Sequence, residues 1–210
     1  METHGITPEI IENKPFLKET TGYKKLLEEN NEENYLIIHN APFDIGMLEK
    51  EGFENKMKLI DTLRCAKHLY PDSEAHRLQY FRYSLGIYKK EQEEANKLNI
   101  EIKAHDAIGD VLILKLFMSE LVKKVKEKYP QNNPMEKLVE LTKKIPLIKI
   151  MPFGKHKGME IKEVIEKDIG WVNWALSNME DMNEELKYTL EYWLKENEKD
   201  ISNYQNNFLN

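Results

Sequence analysis

A single cysteine, Cys65, stands in a chain of 210 residues. No intramolecular disulfide can form, so a reducing compartment, the cytoplasm, is expected. Long apolar runs are also lacking, and neither a membrane span nor a secretory leader is expected. Positive charge is not in excess: 31 Lys and Arg stand against 37 Asp and Glu, a net charge of −6. That balance excludes a bulk nucleic-acid coat. It leaves room for a local nucleic-acid site at which metal ions offset the charge. Internal repeats and low-complexity tracts are missing too. With 40% hydrophobic and 32% charged residues, the chain reads as soluble and globular, long enough for one domain or two small ones.

The organising stretch is Tyr35 to Leu48, YLIIHNAPFDIGML. Tyr35-Leu36-Ile37-Ile38 is a short apolar run, β-branched in its second half, which predicts a buried strand. His39-Asn40-Ala41-Pro42 breaks it, and Pro42 suits a first helical turn, where its missing N–H costs nothing. Phe43, Met47 and Leu48 then recur at helical spacing. Asn40 therefore falls at a strand end and Asp44 in the first turn of a helix. Ligands in open α/β sheets gather at that edge.

Around this centre the pattern predicts a loop over 1–8, then a short helix started by Thr7-Pro8-Glu9. A second helix is expected over 15–30, weakened at Gly22. A second strand is expected at 57–60, followed by Asp61-Thr62 and a helix to Tyr70. Leu78, Phe81 and Leu85 predict a helix ending at Gly86. The stretch 89–98 reads as a charged, mobile connection. A long helix is expected over 104–129. Pro130-Gln131-Asn132-Asn133-Pro134 marks a boundary. The expected organisation is a first domain over 1–129, a linker helix over 130–144, a small module over 145–196 and a polar tail over 197–210.

Three positions suggest chemistry. Asp44 follows the central strand, and His105 and Asp110 open the long helix. Asp44 and Asp110 could share Mg²⁺ or Mn²⁺, which suit carboxylate oxygens, keep several waters and bind substrate phosphates. A histidine beside such an ion can take a proton from water. Metal, carboxylates and histidine together describe phosphodiester hydrolysis. Read singly, Asp44 is as easily a helix-dipole partner, and Asp61 is most simply an N-cap.

These residues carry a family resemblance. His39-Asn40-Ala41-Pro42-Phe43-Asp44 resembles the second motif of the DEDDh 3′–5′ exonucleases of the DnaQ-like type, and His105-x-Ala107-x-x-Asp110 resembles their third. Leu59-Ile60-Asp61-Thr62-Leu63, Leu85-Gly86-Ile87 and His4-Gly5-Ile6-Thr7 match in the same order. The resemblance implies an α/β, RNase H-like fold, two divalent ions and removal of nucleotides from a 3′ end, of DNA rather than RNA. It makes Asp44 and Asp110 metal ligands and His105 the general base. It places His4, Ile6, Thr7, Asn40 and Phe43 near the terminal nucleotide.

The family's first motif, Asp-x-Glu on the first strand, has no counterpart here. Leu17-Lys18-Glu19-Thr20-Thr21-Gly22 looks like it, but Leu17 replaces the first carboxylate and Pro15 interrupts the approach. The expected fold is accordingly an N-terminally truncated one, and the chain alone is expected to show weak or no activity. The alternative is a non-catalytic nucleic-acid-binding or interaction protein, with a protein partner or a second copy completing it.

The last segment has its own signature. Pro152-Phe153-Gly154-Lys155-His156-Lys157-Gly158, with Trp171 and Trp174 beyond it, resembles the small C-terminal module of exodeoxyribonuclease X-like proteins. Lys155 and Lys157 could hold phosphate at the glycine turn. The tryptophans are expected to supply much of a mainly helical module's core.

Overall fold

The computed structural model describes residues 7–99 and 107–208. Two compact units form: Met1–Cys65 with Ala75–Thr142, and Ala66–Glu74 with Lys143–Asn210.

The first unit is built on two parallel strands, β1 (Tyr35–Ile38) and β2 (Lys58–Asp61). Their register sets Tyr35 opposite Lys58 and Ile38 opposite Asp61. The connection is α3 (Ala41–Lys50), which closes at Gly52 with φ +76°, a conformation open to glycine. Before β1 lie α1 (Pro8–Ile11) and α2 (Thr21–Glu28). One helix was expected over 15–30. Instead Leu17–Glu19 forms a 3₁₀ turn and Thr20 starts α2, its hydroxyl accepting from Tyr23 N at 3.2 Å. A Ser/Thr cap competes with helix continuation in this way. Tyr23, Phe53 and Met57 form a buried cluster against Leu26, Leu36 and Leu48.

After β2 come α4 (Thr62–Leu69), α5 (Leu78–Ser84) and α6 (Tyr88–Leu98). The last replaces the mobile connection expected at 89–98. Its charges are spent on fixed partners: Glu91 on Arg82, Glu94 on Lys115 and Lys90 on Glu120, while Ala95 is fully buried. A charged face with one small buried stripe is an ordinary surface helix. The long helix α7 (Ala107–Lys128) buries Leu112, Phe117, Leu121 and Val125. Phe117 stacks on Phe81 of α5 at 4.6 Å. Each buried phenyl side chain contributes roughly 2–3 kcal/mol.

Helix α8 (Pro134–Lys143), expected as a linker, is docked within this unit. Glu136 accepts from the Tyr35 hydroxyl at 2.7 Å and Lys58 Nζ at 2.9 Å. Thr142 accepts from Asp61 N at 2.9 Å. Leu138 is fully buried.

The second unit contains α9 (Ile161–Lys167), α10 (Ile169–Asn178) and α11 (Glu184–Phe208). Its core is Met151, Ile161, Val164, Ile165, Val172, Leu186 and Leu190, with Trp171 and Trp193 packed at the margin. Trp174 is 55% exposed, so the core is chiefly aliphatic, unlike the tryptophan-rich one expected. Helix α11 continues through 197–208, the segment read as a tail, because no glycine or proline interrupts it.

Candidate active site

The turn after β1 is shaped by a buried carboxylate. Asp61, 6% exposed, accepts from Asn40 N at 3.1 Å and Ala41 N at 3.2 Å. It also accepts from Leu63 N at 2.9 Å and Arg64 N at 3.4 Å, at the start of α4. One side chain thus fixes two chain reversals, satisfying donors that helix starts otherwise leave unpaired. Asn40 takes φ +74°, a left-handed conformation that asparagine tolerates better than most residues. The sequence reading of Asp61 as a cap holds, and the cap serves two elements.

His39 is fixed beside this turn. The Thr62 hydroxyl donates to Ile38 O at 3.2 Å, and His39 Nδ1 lies 2.9 Å from that hydroxyl's own oxygen, Thr62 Oγ1. With the hydroxyl proton committed to a carbonyl, Nδ1 is the donor in its pair.

A cavity of about 770 Å³ opens here, lined by Ile37, Ile38, His39, Asp44, Arg77, Leu78, Gln79, Tyr80, Tyr83, Asp110, Val111 and Leu114. Asp44 comes from the first turn of α3 and Asp110 from the first turn of α7. Both reach the same cavity. Burial pushes the Asp44 carboxyl above the usual carboxylate range; a backbone hydrogen bond opposes this, and the Asp61 charge adds to the rise. Asp110 accepts from Gln79 Nε2 at 2.8 Å. Gln79 Oε1 takes a longer contact from Arg82 Nη1 at 3.4 Å. Arg82 is clasped by Glu91, with both N···O distances 2.6 Å. Glu91 is 5% exposed, so this chain of contacts ends on an anchored group.

Asn40 and Phe43 do not line the cavity; Phe43 is 69% exposed. Thr7 precedes α1 at its N-cap. His4, Ile6 and His105 lie outside the described residues. The sequence reading missed Gln79, Arg77, Tyr80, Tyr83 and His39. A glutamine at an exposed helix position reads as surface, and only the fold sets it against Asp110.

Among the described residues no group of three or more His, Cys, Asp or Glu is set to hold a metal. Two carboxylates facing one cavity still fit Mg²⁺, which commonly uses one or two protein carboxylates beside waters and substrate phosphates. The raised Asp44 carboxyl is a further sign of fit, since a cation there would offset its burial and the nearby Asp61 charge.

Comparison with known proteins places this geometry. The profile described as exonuclease, of the RNase T type, matches residues 1–117. The chain belongs to the exonuclease family. It is 24% identical over 200 residues to exodeoxyribonuclease 10 of Escherichia coli, covering 93% of this chain and 78% of that protein. The PolC-type DNA polymerase III of Bacillus cereus is 31% identical over 134 residues, 61% of this chain and 8% of that one. The DNA polymerase III subunit epsilon of Haemophilus influenzae is 34% identical over 79 residues, 34% and 30% of the two chains. No solved structure matches. The α/β architecture, mostly helical with a small parallel sheet and a helical second unit, accords with the RNase H-like exonuclease fold. No helix among the described residues is long and apolar enough to cross a membrane.

In the second unit, the glycine turn is held by Asp168. Its carboxylate accepts from Lys155 Nζ at 2.6 Å, His156 Nε2 at 3.1 Å and Trp171 N at 3.1 Å. Lys155, followed by the Trp171 N–H, holds the Asp168 carboxyl below its ordinary range. Gly154 and Gly158 take φ +71° and +86°, which the turn requires. Lys155 and Lys157 are both exposed, but Lys155 is already paired.

Proposed function

We propose that this chain carries a divalent-metal site of a 3′–5′ exonuclease acting on DNA, held by Asp44 and Asp110. The observation that carries it is that both carboxylates line one cavity. Bound there, Mg²⁺ or Mn²⁺ supplies Lewis-acid stabilisation of phosphoryl oxygens and lowers the pKa of a bound water. Gln79 keeps Asp110 oriented through its 2.8 Å hydrogen bond. Arg77, exposed on the rim, offers a guanidinium to the phosphate. Tyr80 and Tyr83 offer rings to the terminal base. His105, close before Asp110 in the sequence, serves as the base that takes the water proton. His4, Ile6, Thr7, Asn40 and Phe43 belong on the nucleotide side by family resemblance. Lys157, with a smaller share for Lys155, is a phosphate contact on the second unit. The name exodeoxyribonuclease borne by one relative favours DNA. The domain organisation we adopt is an exonuclease domain followed by a small helical module.

Two carboxylates position a cation less firmly than a fuller set would, so the 210-residue chain should be slow. The test is Mn²⁺-dependent release of mononucleotides from the 3′ end of 5′-labelled single-stranded DNA, read as stepwise shortening of the labelled strand. We expect slow release, stopped by Asp44→Ala and by Asp110→Ala. Release indifferent to both substitutions would overturn the assignment. A chain that binds DNA in EDTA, yet neither binds Mn²⁺ nor releases nucleotides, would be the non-catalytic binding protein.

A further inference from the structure

Within the first unit, Asp110 lies at one end of a run of contacts whose other end is on helix α6. That helix is tied to α7 by Lys90 to Glu120 at 3.2 Å and by Glu94 to Lys115 at 2.6 Å, and its Ala95 is fully buried. Glu91, on the same helix, is thereby fixed relative to the helix that carries Asp110. Glu91 is buried and accepts from Arg82 Nε and Nη2, both at 2.6 Å. The guanidinium lies over the Tyr83 ring, 5.3 Å from its centre. Its Nη1 faces Gln79 Oε1 at 3.4 Å. Glu91 above all, with Tyr83 and Asp110 after it, favours the charged guanidinium.

Gln79 joins a cation to an anion. Arginine only donates and an ionised carboxylate only accepts, so one orientation of the amide serves both neighbours. It sets Oε1 on Arg82 and Nε2 on Asp110, the latter at 2.8 Å. Gln79 is exposed, and among the described residues its amide bonds these two groups. Water competes for such a side chain unless both ends of the amide are held.

We propose that Arg82 is a positioning residue for the Asp110 metal ligand: locked by Glu91, it sets the Gln79 amide, and the amide sets the carboxylate. The inference rests on the proposed metal site and adds to it two residues that do not line the cavity. It gives the pair a role apart from stability, for which a buried ion pair is in itself a weak device.

The test uses the full chain. Arg82→Met/Glu91→Met removes both charges at once, so the net charge is unchanged and no carboxylate is left buried without its partner. The variant should melt no earlier than the parent. Its Mn²⁺ binding, read from the EPR signal of free Mn²⁺, should nevertheless weaken about fivefold. In a Gln79→Met background the same pair of substitutions should cost nothing further, because the route to Asp110 is already cut. In the metal-free chain, the side-chain amide NMR signals of Gln79, assigned by their loss in Gln79→Met, should move to the positions of solvent-exposed glutamines. Arg82→Lys keeps the charge but not the planar fork; it should move the same signals and weaken Mn²⁺ binding even if the double variant does not fold. Unchanged Mn²⁺ affinity or unmoved Gln79 signals in a folded variant would overturn the inference and leave the metal site standing. So would an undiminished loss in the Gln79→Met background. Mn²⁺ binding that survives Asp110→Ala would overturn the proposed site, and this inference with it.

Discussion

In the first unit the Asp61 carboxylate sits buried and accepts from four backbone N–H groups. In the second unit the Asp168 carboxylate lies nearer the surface and accepts from two side-chain cations or donors and one backbone N–H. Both aspartates hold a turn. They differ in what they are asked to hold. Backbone donors cannot move away or be screened, so Asp61 fixes geometry near a candidate site. Lysine and histidine can exchange partners with solvent and salt, so Asp168 holds a loop whose rigidity depends on conditions.

The largest expected effect comes from removing the buried anchor. Asp61→Ala leaves several amide donors near the β1 and α4 turns without a partner and should destabilise the first unit by about 3 kcal/mol, read by urea titration. A loss under about 1 kcal/mol would show that water replaces the carboxylate and that the two aspartates are alike. A smaller effect is expected from Gln79→Met. It removes the amide that orients Asp110 while keeping the side chain's length, and should weaken Mn²⁺ binding about tenfold with no change in melting. Equal Mn²⁺ affinity would mean that Asp110 needs no support.

Asp168→Asn keeps an oxygen for Trp171 N but gives up the charge. The folded carboxyl titrates below its unfolded value of about 3.9, so its contribution is fully present above that pH and is lost as pH falls through the folded value. The variant should melt earlier than the parent at pH 7, and the gap should close below about pH 3.9 and shrink in high salt. A gap constant from pH 7 to pH 3 would point to packing instead of charge. The smallest effect has the opposite sign. Asp44 titrates above its unfolded value, so its cost appears as pH rises past about 3.9. Without metal, Asp44→Asn should melt slightly later than the parent at pH 7 and no differently at pH 3.

Much of the frame was legible because local pattern and fold agree there. The strand at Tyr35–Ile38, the helix after Pro42 and the long helix carrying Asp110 each follow from apolar spacing and one punctuating residue. The sequence was less informative where long-range pairing decides. Helix α6 looked too charged to settle, and only the partners Arg82, Lys115 and Glu120 show why it does. Trp174 looked like core from its size, but on α10 the small Ala175 and the branched Val172 take the inward places. At the site, Asp44 and Asp110 could be singled out by residue type and spacing. Gln79, Arg77 and Tyr83 could not, because they reach the cavity through the placement of α5.

Cys65 has a last consequence. It is fully buried, its Sγ lies 3.3 Å from Leu138 O, and burial pushes its thiol up to about 12. At neutral pH almost no thiolate exists in the closed state, and no reagent can reach it. A thiol-specific dye added to the native chain will therefore react only when α4 parts from α8. With one cysteine in the chain, the labelling rate needs no deconvolution. The chain carries its own clock for the opening of the helix pair that backs the Asp61 turn.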